Sequence, residues 1–158
     1  MGKKYTLYVE DKEVDKKGLK ERFDKYNQMY FGGKLGKCSF FWELDNHGYR
    51  WYGTYVHYST KTGEAQSKIG ITRNVHWTEE TLKELLVHEM LHMYIRTVEG
   101  KWHDGILGHG RRFRAHCRRL QRDYGLNIRA YQEYEPINIK KAPPRRLWEK
   151  VLMWLIDW

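Results

Sequence analysis

The sequence predicts a single α+β domain in which a buried helix packs with a second helix and a small antiparallel sheet. Three observations carry that prediction. Helical periodicity runs through Lys16–Phe31, Thr81–Arg96 and Gly110–Tyr124, three short extended segments stand between the first two of these runs, and 158 residues suffice for one core without calling for a second.

Taken in order, Tyr5–Glu10 alternates apolar and polar residues and reads as a short edge strand. From Lys16 to Phe31, Leu19, Phe23, Tyr26, Met29 and Tyr30 follow a helical period, and Gly32-Gly33 stops the helix, which is expected to pack across the buried one. Cys38–Leu44, Trp51–Tyr58 and Lys68–Thr72 read as strands, separated by the turn-like Asp45-Asn46-His47-Gly48 and Ser59–Gly63. Such short connections predict an antiparallel meander, with Trp42, Trp51, Tyr55 and Ile71 in the core.

The helix over Thr81–Arg96 is opened by Trp77-Thr78-Glu79-Glu80, with Thr78 as N-cap and acids in the first turn. Leu82, Leu85, Leu86, Val87, Met90, Leu91, Met93 and Ile95 cover nearly every direction round it, the pattern of a helix buried within a domain. Among them His88, Glu89 and His92 spell H-E-x-x-H. Residues four apart lie about 40° apart round a helix, so both imidazoles project from one stripe and can share a metal ion, with Glu89 about 100° round. Two imidazoles and a carboxylate are costly in so apolar a setting unless something satisfies them, and zinc does so directly. Composition alone produces this pattern in roughly 3% of shuffled chains; its place inside a capped, buried helix is what sharpens it.

Thr97–Gly108 has three glycines and no period, and reads as a loop. Gly110–Tyr124 resumes a helix with Phe113, Cys117, Leu120 and Tyr124 on one face and arginines on much of the rest, ended by Gly125. Asn127–Pro136 reads as extended. Residues 1–140 form the domain proper, and 141–158 a basic, proline-containing joint followed by a short Trp-rich helix with Trp148, Leu152, Leu155 and Ile156 as its stripe.

The net charge of +9 is uneven, since residues 111–146 hold eleven Lys/Arg against three acids. That concentration points to an anionic partner, nucleic acid first, with Arg111, Arg112, Arg118, Arg119 and Arg122 as its contacts. Arginine on a helix face is more often simply solvated. Cys38 and Cys117 make no disulfide framework and no cysteine zinc ribbon, no apolar run spans a bilayer, and MGKKYTLYVED lacks a signal core, so a reducing, cytoplasmic setting is expected.

Zinc on two histidines needs a third protein ligand, with the remaining position left to water in a catalytic site. An H-E-x-x-H-x-x-G-x-x-H arrangement is excluded, because Ile95 and Val98 stand where it needs Gly and His. Glu99, Asp104, His103, His109 and His116 remain open. His109 leads, flanked by Gly108 and Gly110 where the chain can approach closely, with Phe113 one turn on; His116 is second.

At this point the chain resembles the SprT-like family, which includes the Spartan proteases. The resemblance spans roughly Gly18 to Ile128 and rests on NQMYFGGKLG at Asn27–Gly36, ITRN at Ile71–Asn74, LLVHEMLHMYI at Leu85–Ile95 and GHGRRF at Gly108–Phe113. It implies a zincin-like fold, zinc held by His88, His92 and the histidine of an H-G-x-x-F pattern, His109, with Phe113 completing that pattern and Glu89 as the catalytic residue. It also implies a zinc-dependent endopeptidase acting on a protein or peptide substrate, with DNA-associated proteins as one class of target. Zinc would bring a water's pKa towards about 7, and Glu89 would take its proton and pass it to the leaving amine. His103 and Tyr94 are candidates to stabilise the oxyanion. Two other classes compete: a nucleic-acid-binding module whose zinc is structural, and an interaction protein working through its Trp-rich tail.

Overall fold

The computed structural model describes residues 7–43, 52–132, 134 and 137. Trp51, the turn at Asp45–Gly48 and the whole joint and tail over 141–158 lie outside them.

The chain begins with strands β1 (Leu7–Val9) and β2 (Lys12–Val14), paired antiparallel with Leu7 opposite Val14. The expected single edge strand is therefore half of a hairpin. Its turn holds Glu10 and Asp11 at φ 49° and 65°, a conformation usually announced by Asn-Gly, so no local signal marked it. Helix α1 (Lys16–Phe31) starts at Asp15, whose side chain accepts from the Gly18 N–H at 2.8 Å, and stops at Gly32 in the left-handed region. Leu19, Phe23, Tyr26, Tyr30 and Phe31 face inward, whereas Met29 is 46% exposed and leaves the expected stripe. Asn27 then fastens the following glycine turn, its amide donating to the Leu35 carbonyl at 2.9 Å and accepting from the Leu35 N–H at 3.1 Å.

Strands β3 (Cys38–Trp42), β4 (Gly53–Ser59) and β5 (Ala65–Ile71) form a sheet in the order β3-β5-β4. The expected antiparallel meander is corrected here. β4 and β5 are an antiparallel hairpin, but β3 lies on the other side of β5 and runs parallel to it, Phe40 opposite Ile69. The crossover from β3 to its parallel partner contains β4 itself, so the short spacing between consecutive strands gave no guide to their order. Gly70 makes the close packing possible, since a Cβ there would fall 2.5 Å from the Phe41 ring. Ile71 is fully buried, while Trp42 and Tyr55 are half-buried against the core.

Helix α2 (Glu79–Thr97) is buried on all sides as its composition demands. Thr78 and Thr81 close a reciprocal capping box at its start, with Glu79 and Glu80 in the first turn. It lies between α1, through Arg22–Glu79 and Phe31–Tyr94, and β4, against which Leu85 and Glu89 pack. After a loop ending in the 3-10 turn Ile106–Gly108, helix α3 (Arg111–Tyr124) packs Phe113 and Leu120 into the core and ends at Gly125. Tyr124 is 48% exposed, with its ring edge against Tyr30. Leu126 and Ile128 then carry the chain back over α2. No described helix is long and apolar enough to cross a membrane.

Candidate metal centre

His88 and His92 project from one stripe of α2, and the loop into α3 brings His109 to meet them. The three Nε2 atoms stand 3.2 Å (His88 to His92), 3.1 Å (His92 to His109) and 3.2 Å (His109 to His88) apart. A tetrahedral ion held at about 2.0–2.1 Å by three imidazoles sets its donors roughly 3.3–3.4 Å apart, so the observed triangle is close to the required size. His88 Nδ1 donates to the Arg129 carbonyl at 2.8 Å, which fixes its tautomer and turns the Nε2 lone pair into the cluster. The Phe113 ring forms the floor, its centroid 4.7–4.8 Å from those of all three imidazoles.

Burial holds these rings neutral. It pushes His88 down to about 3, with the adjacent His109 adding to the effect, and His109 to about 4, with Arg114 adding; His92 lies well below its usual value for the same reason. Neutral imidazoles with converging lone pairs are the protonation state a metal requires. The trio can therefore hold a metal ion.

Two backbone features make the convergence possible. Gly108 at φ 74° runs so close to His92 that a Cβ would sit 3.2 Å from its ring. Gly110 crosses the backbone at Asp104 and Gly105, where a Cβ would meet atoms at 2.6 Å. Asp104 also does the work of a cap that Gly110 lacks: its carboxylate accepts from the Arg112 and Phe113 N–H groups at 3.1 and 2.6 Å, and its carbonyl from Gly110 N–H at 2.7 Å. His109 is thus held between Gly108, close against His92, and Gly110, tethered to Asp104.

Glu89 is 5% exposed. Its carboxylate lies against β4, where a Cβ on Gly53 would be 2.9 Å from Oε1, and it accepts a hydrogen bond from the Tyr55 backbone N–H. Burial, reinforced by the nearby Glu43, raises its pKa to about 8.

The remaining candidates separate. His116, second choice among the third ligands, bonds Glu99 and packs on Tyr94, away from the trio, and Arg112 joins the same Glu99 at 3.2 Å. Asp104 serves as the cap just described, and His103 is exposed on the loop. Tyr94 packs its ring between Phe31 and His116. Arg111, Arg118 and Arg122 are exposed and Arg119 is half-buried, with Arg122 tied to Asp123. Cys38 and Cys117 are free thiols that burial pushes up to about 12.

A model of the SprT-like family matches residues 19–132, which contain all three histidines, Glu89 and Phe113. The chain belongs to the SprT-like family. No curated protein sequence matches it. In this SprT-like chain, Gly53, the Arg129 carbonyl and Tyr131, whose ring stands 5.0 Å from that of His109, were missed by sequence reasoning, and Asp104, weighed only as a ligand, serves as a cap. Only the glycines and the acid before G-x-x-G-H-G carried any local hint; a backbone carbonyl forty-one residues from its histidine carries none.

Proposed function

We propose that this SprT-like chain is a zinc-dependent endopeptidase, with His88, His92 and His109 as metal ligands, Glu89 as general base, and residues 1–140 as the catalytic domain. The observation that carries the proposal is the triangle of Nε2 atoms with a buried, non-ligating carboxylate one residue from the first of them. Bound zinc would polarise a substrate carbonyl and make a water acidic enough to react near neutral pH. Glu89 takes the proton of the attacking water and delivers it to the departing amine, a shuttle for which a pKa near neutrality is suited. The Tyr55 N–H fixes that carboxylate and favours its ionised form. Phe113 and the Arg129 carbonyl hold the imidazoles in place while this happens.

Two variants test the assignment. Glu89→Gln should keep stoichiometric zinc and lose cleavage of casein or of the chain itself, while His88→Ala should lose both. Full cleavage by zinc-loaded Glu89→Gln would overturn the role given to that residue.

We further propose DNA-associated proteins as targets, in a reducing, cytoplasmic setting, with the exposed arginines of α3 supplying the phosphate contacts. The support is the charge concentration after residue 110 and the surface position of Arg111, Arg118 and Arg122. Binding of this kind falls steeply with salt, by about 0.9 in log K per log salt for each phosphate neutralised. Charge reversal at Arg111 and Arg118 should lower DNA affinity and flatten that slope; an unchanged salt dependence rejects the interface. DNA binding by a zinc-loaded chain that hydrolyses nothing would favour the competing reading, a binding module with structural zinc.

A further inference from the structure

Zinc and a general base act on any peptide bond brought to them, so choice among peptides has to come from contacts beside the reacting atoms. Among the described residues, the two most exposed large apolar side chains are Trp102 at 64% and Leu107 at 60%, and both belong to the loop between α2 and α3 that delivers His109. One such side chain facing water is ordinary. Two on a single loop beside a metal centre mark a binding surface.

We propose that Trp102 and Leu107 form an apolar subsite that receives a large aromatic or branched aliphatic side chain of the peptide substrate, a role that rests on the peptidase assignment above. Both flank His92. Arg96 stands one turn beyond His92, on the stripe that also holds His88, and its guanidinium lies on the Trp102 ring, 3.3 Å from the centroid. His57 of β4 meets the same ring edge to face, with centroids 6.0 Å apart at 84°. His57 is two residues along the strand from Tyr55, whose N–H holds Glu89, so Trp102 touches both walls of the site, α2 beyond His92 and β4 beyond Tyr55. Leu107 reaches His92 by another route, immediately preceding Gly108, whose backbone lies against the His92 ring.

The surface is set before any ligand arrives. The loop is fastened by the Lys101 N–H on the Ile95 carbonyl at 3.0 Å and by the Gly110 N–H on the Asp104 carbonyl at 2.7 Å. Leu107 has φ 55°, a left-handed conformation that strains any residue with a Cβ. Here the strain leaves a leucine side chain in water and gains no burial in return, the kind of outlier that points to function. The exposed part of an indole and an isobutyl group together favour an apolar partner, which gains by leaving water. An indole also stacks on a nucleobase, but Leu107 offers nothing to a phosphate, and residues 98–108 carry two acids, Glu99 and Asp104, against the single Lys101, unlike the basic face of α3.

The test uses the zinc-loaded full chain and quenched-fluorescent peptides of Ala, Ser and Gln in which a single Phe is moved from residue to residue. One Phe position should raise kcat/KM about 10- to 100-fold over the same peptide with Ala there. In Trp102→Ala and in Leu107→Ser that ratio should fall at least about fivefold, while Trp102→Phe, which keeps an aromatic face, should retain most of it. The ratio compares two substrates on one enzyme, so any general loss of folded or metal-loaded protein cancels. A wild-type ratio in both Trp102→Ala and Leu107→Ser overturns the proposal, as does a wild type indifferent to Phe at every position. Weaker binding of a single-stranded oligonucleotide by Trp102→Ala, with the peptide ratio intact, overturns it in favour of base stacking. If zinc-loaded wild type cleaves none of the peptides, the peptidase assignment fails. Equal affinities of wild type for the Phe and Ala peptides would then overturn the subsite as well, whereas a preference for Phe that Trp102→Ala loses would support it as a peptide-binding surface.

Discussion

Glu89 depends on a glycine thirty-six residues earlier in the chain. A methyl group on Gly53 would stand 2.9 Å from Glu89 Oε1 and 3.0 Å from Leu85 Cδ1, so β4 can lie close enough to lend the Tyr55 N–H only while position 53 has no side chain. Gly53→Ala should displace the carboxylate and lower kcat by at least about tenfold, corresponding to roughly 1.4 kcal/mol in the barrier. Zinc affinity should stay at the wild-type value, since Gly53 touches none of the imidazoles; a parallel fall in zinc content would show that β4 supports the ligands as well. His109 and His116 make the complementary point. Both sit on or beside the first two turns of α3, and a helical wheel ranks them first and second without deciding between them. Glu99, brought alongside by the end of α2, pairs with His116 and so distinguishes the two.

At the scale of elements, α3 begins with a glycine that offers no cap, and the missing acceptor comes from Asp104 six residues earlier. Losing an N-terminal cap costs about 1–2 kcal/mol. Asp104→Ala should therefore lower the unfolding free energy by that amount in denaturant titration. Because His109 directly precedes the tethered Gly110 and the capped first turn, zinc affinity should weaken too. Thr78→Ala removes the cap of α2 at the far end from the histidines and should cost about 1 kcal/mol while sparing zinc affinity. Equal effects of the two variants on zinc would mean that Asp104 has no special hold on the third ligand. α2 was legible in full, from its capping threonine to its all-round apolar surface, because each of these signals lies within a turn or two of the residues it governs. The β1–β2 hairpin was not, since a Glu-Asp turn with both residues at positive φ carries no local mark.

For the whole molecule, the buried cluster ties stability to protons and to metal. In the metal-free protein the folded-state values of His88, His92 and His109 are all depressed below 6.5, so the folded chain binds fewer protons than the unfolded chain in that range. Their contribution to stability is complete above about pH 6.5 and is lost as pH falls towards 4 and 3. Glu89 has the opposite sign: raised to about 8, it favours the folded state at low pH, and that contribution is lost as pH climbs from the ordinary carboxylate value of 4.5 to 8. Three groups outweigh one below pH 6.5, and Glu89 acts alone above it. The metal-free chain should therefore be most stable near pH 6.5, with a steeper loss on the acid side, as thermal melts in chelator would record. Zinc at a hundred times its dissociation constant should add about 2.7 kcal/mol and raise the melting temperature. A melting temperature indifferent to chelator would remove the case for a resident metal.

The chain by itself determined the residues able to carry the chemistry. H-E-x-x-H sets two imidazoles on one stripe through the helical repeat alone, and Gly108-His109-Gly110 marks a place where backbone can approach, because both depend only on local geometry. Tertiary structure decided what meets them: β3 beside β5 instead of β4, Gly53 over Glu89, the Arg129 carbonyl on His88, Tyr131 on His109. These contacts join residues tens of positions apart through backbone atoms and close packing, and such pairings leave no periodic trace along a sequence.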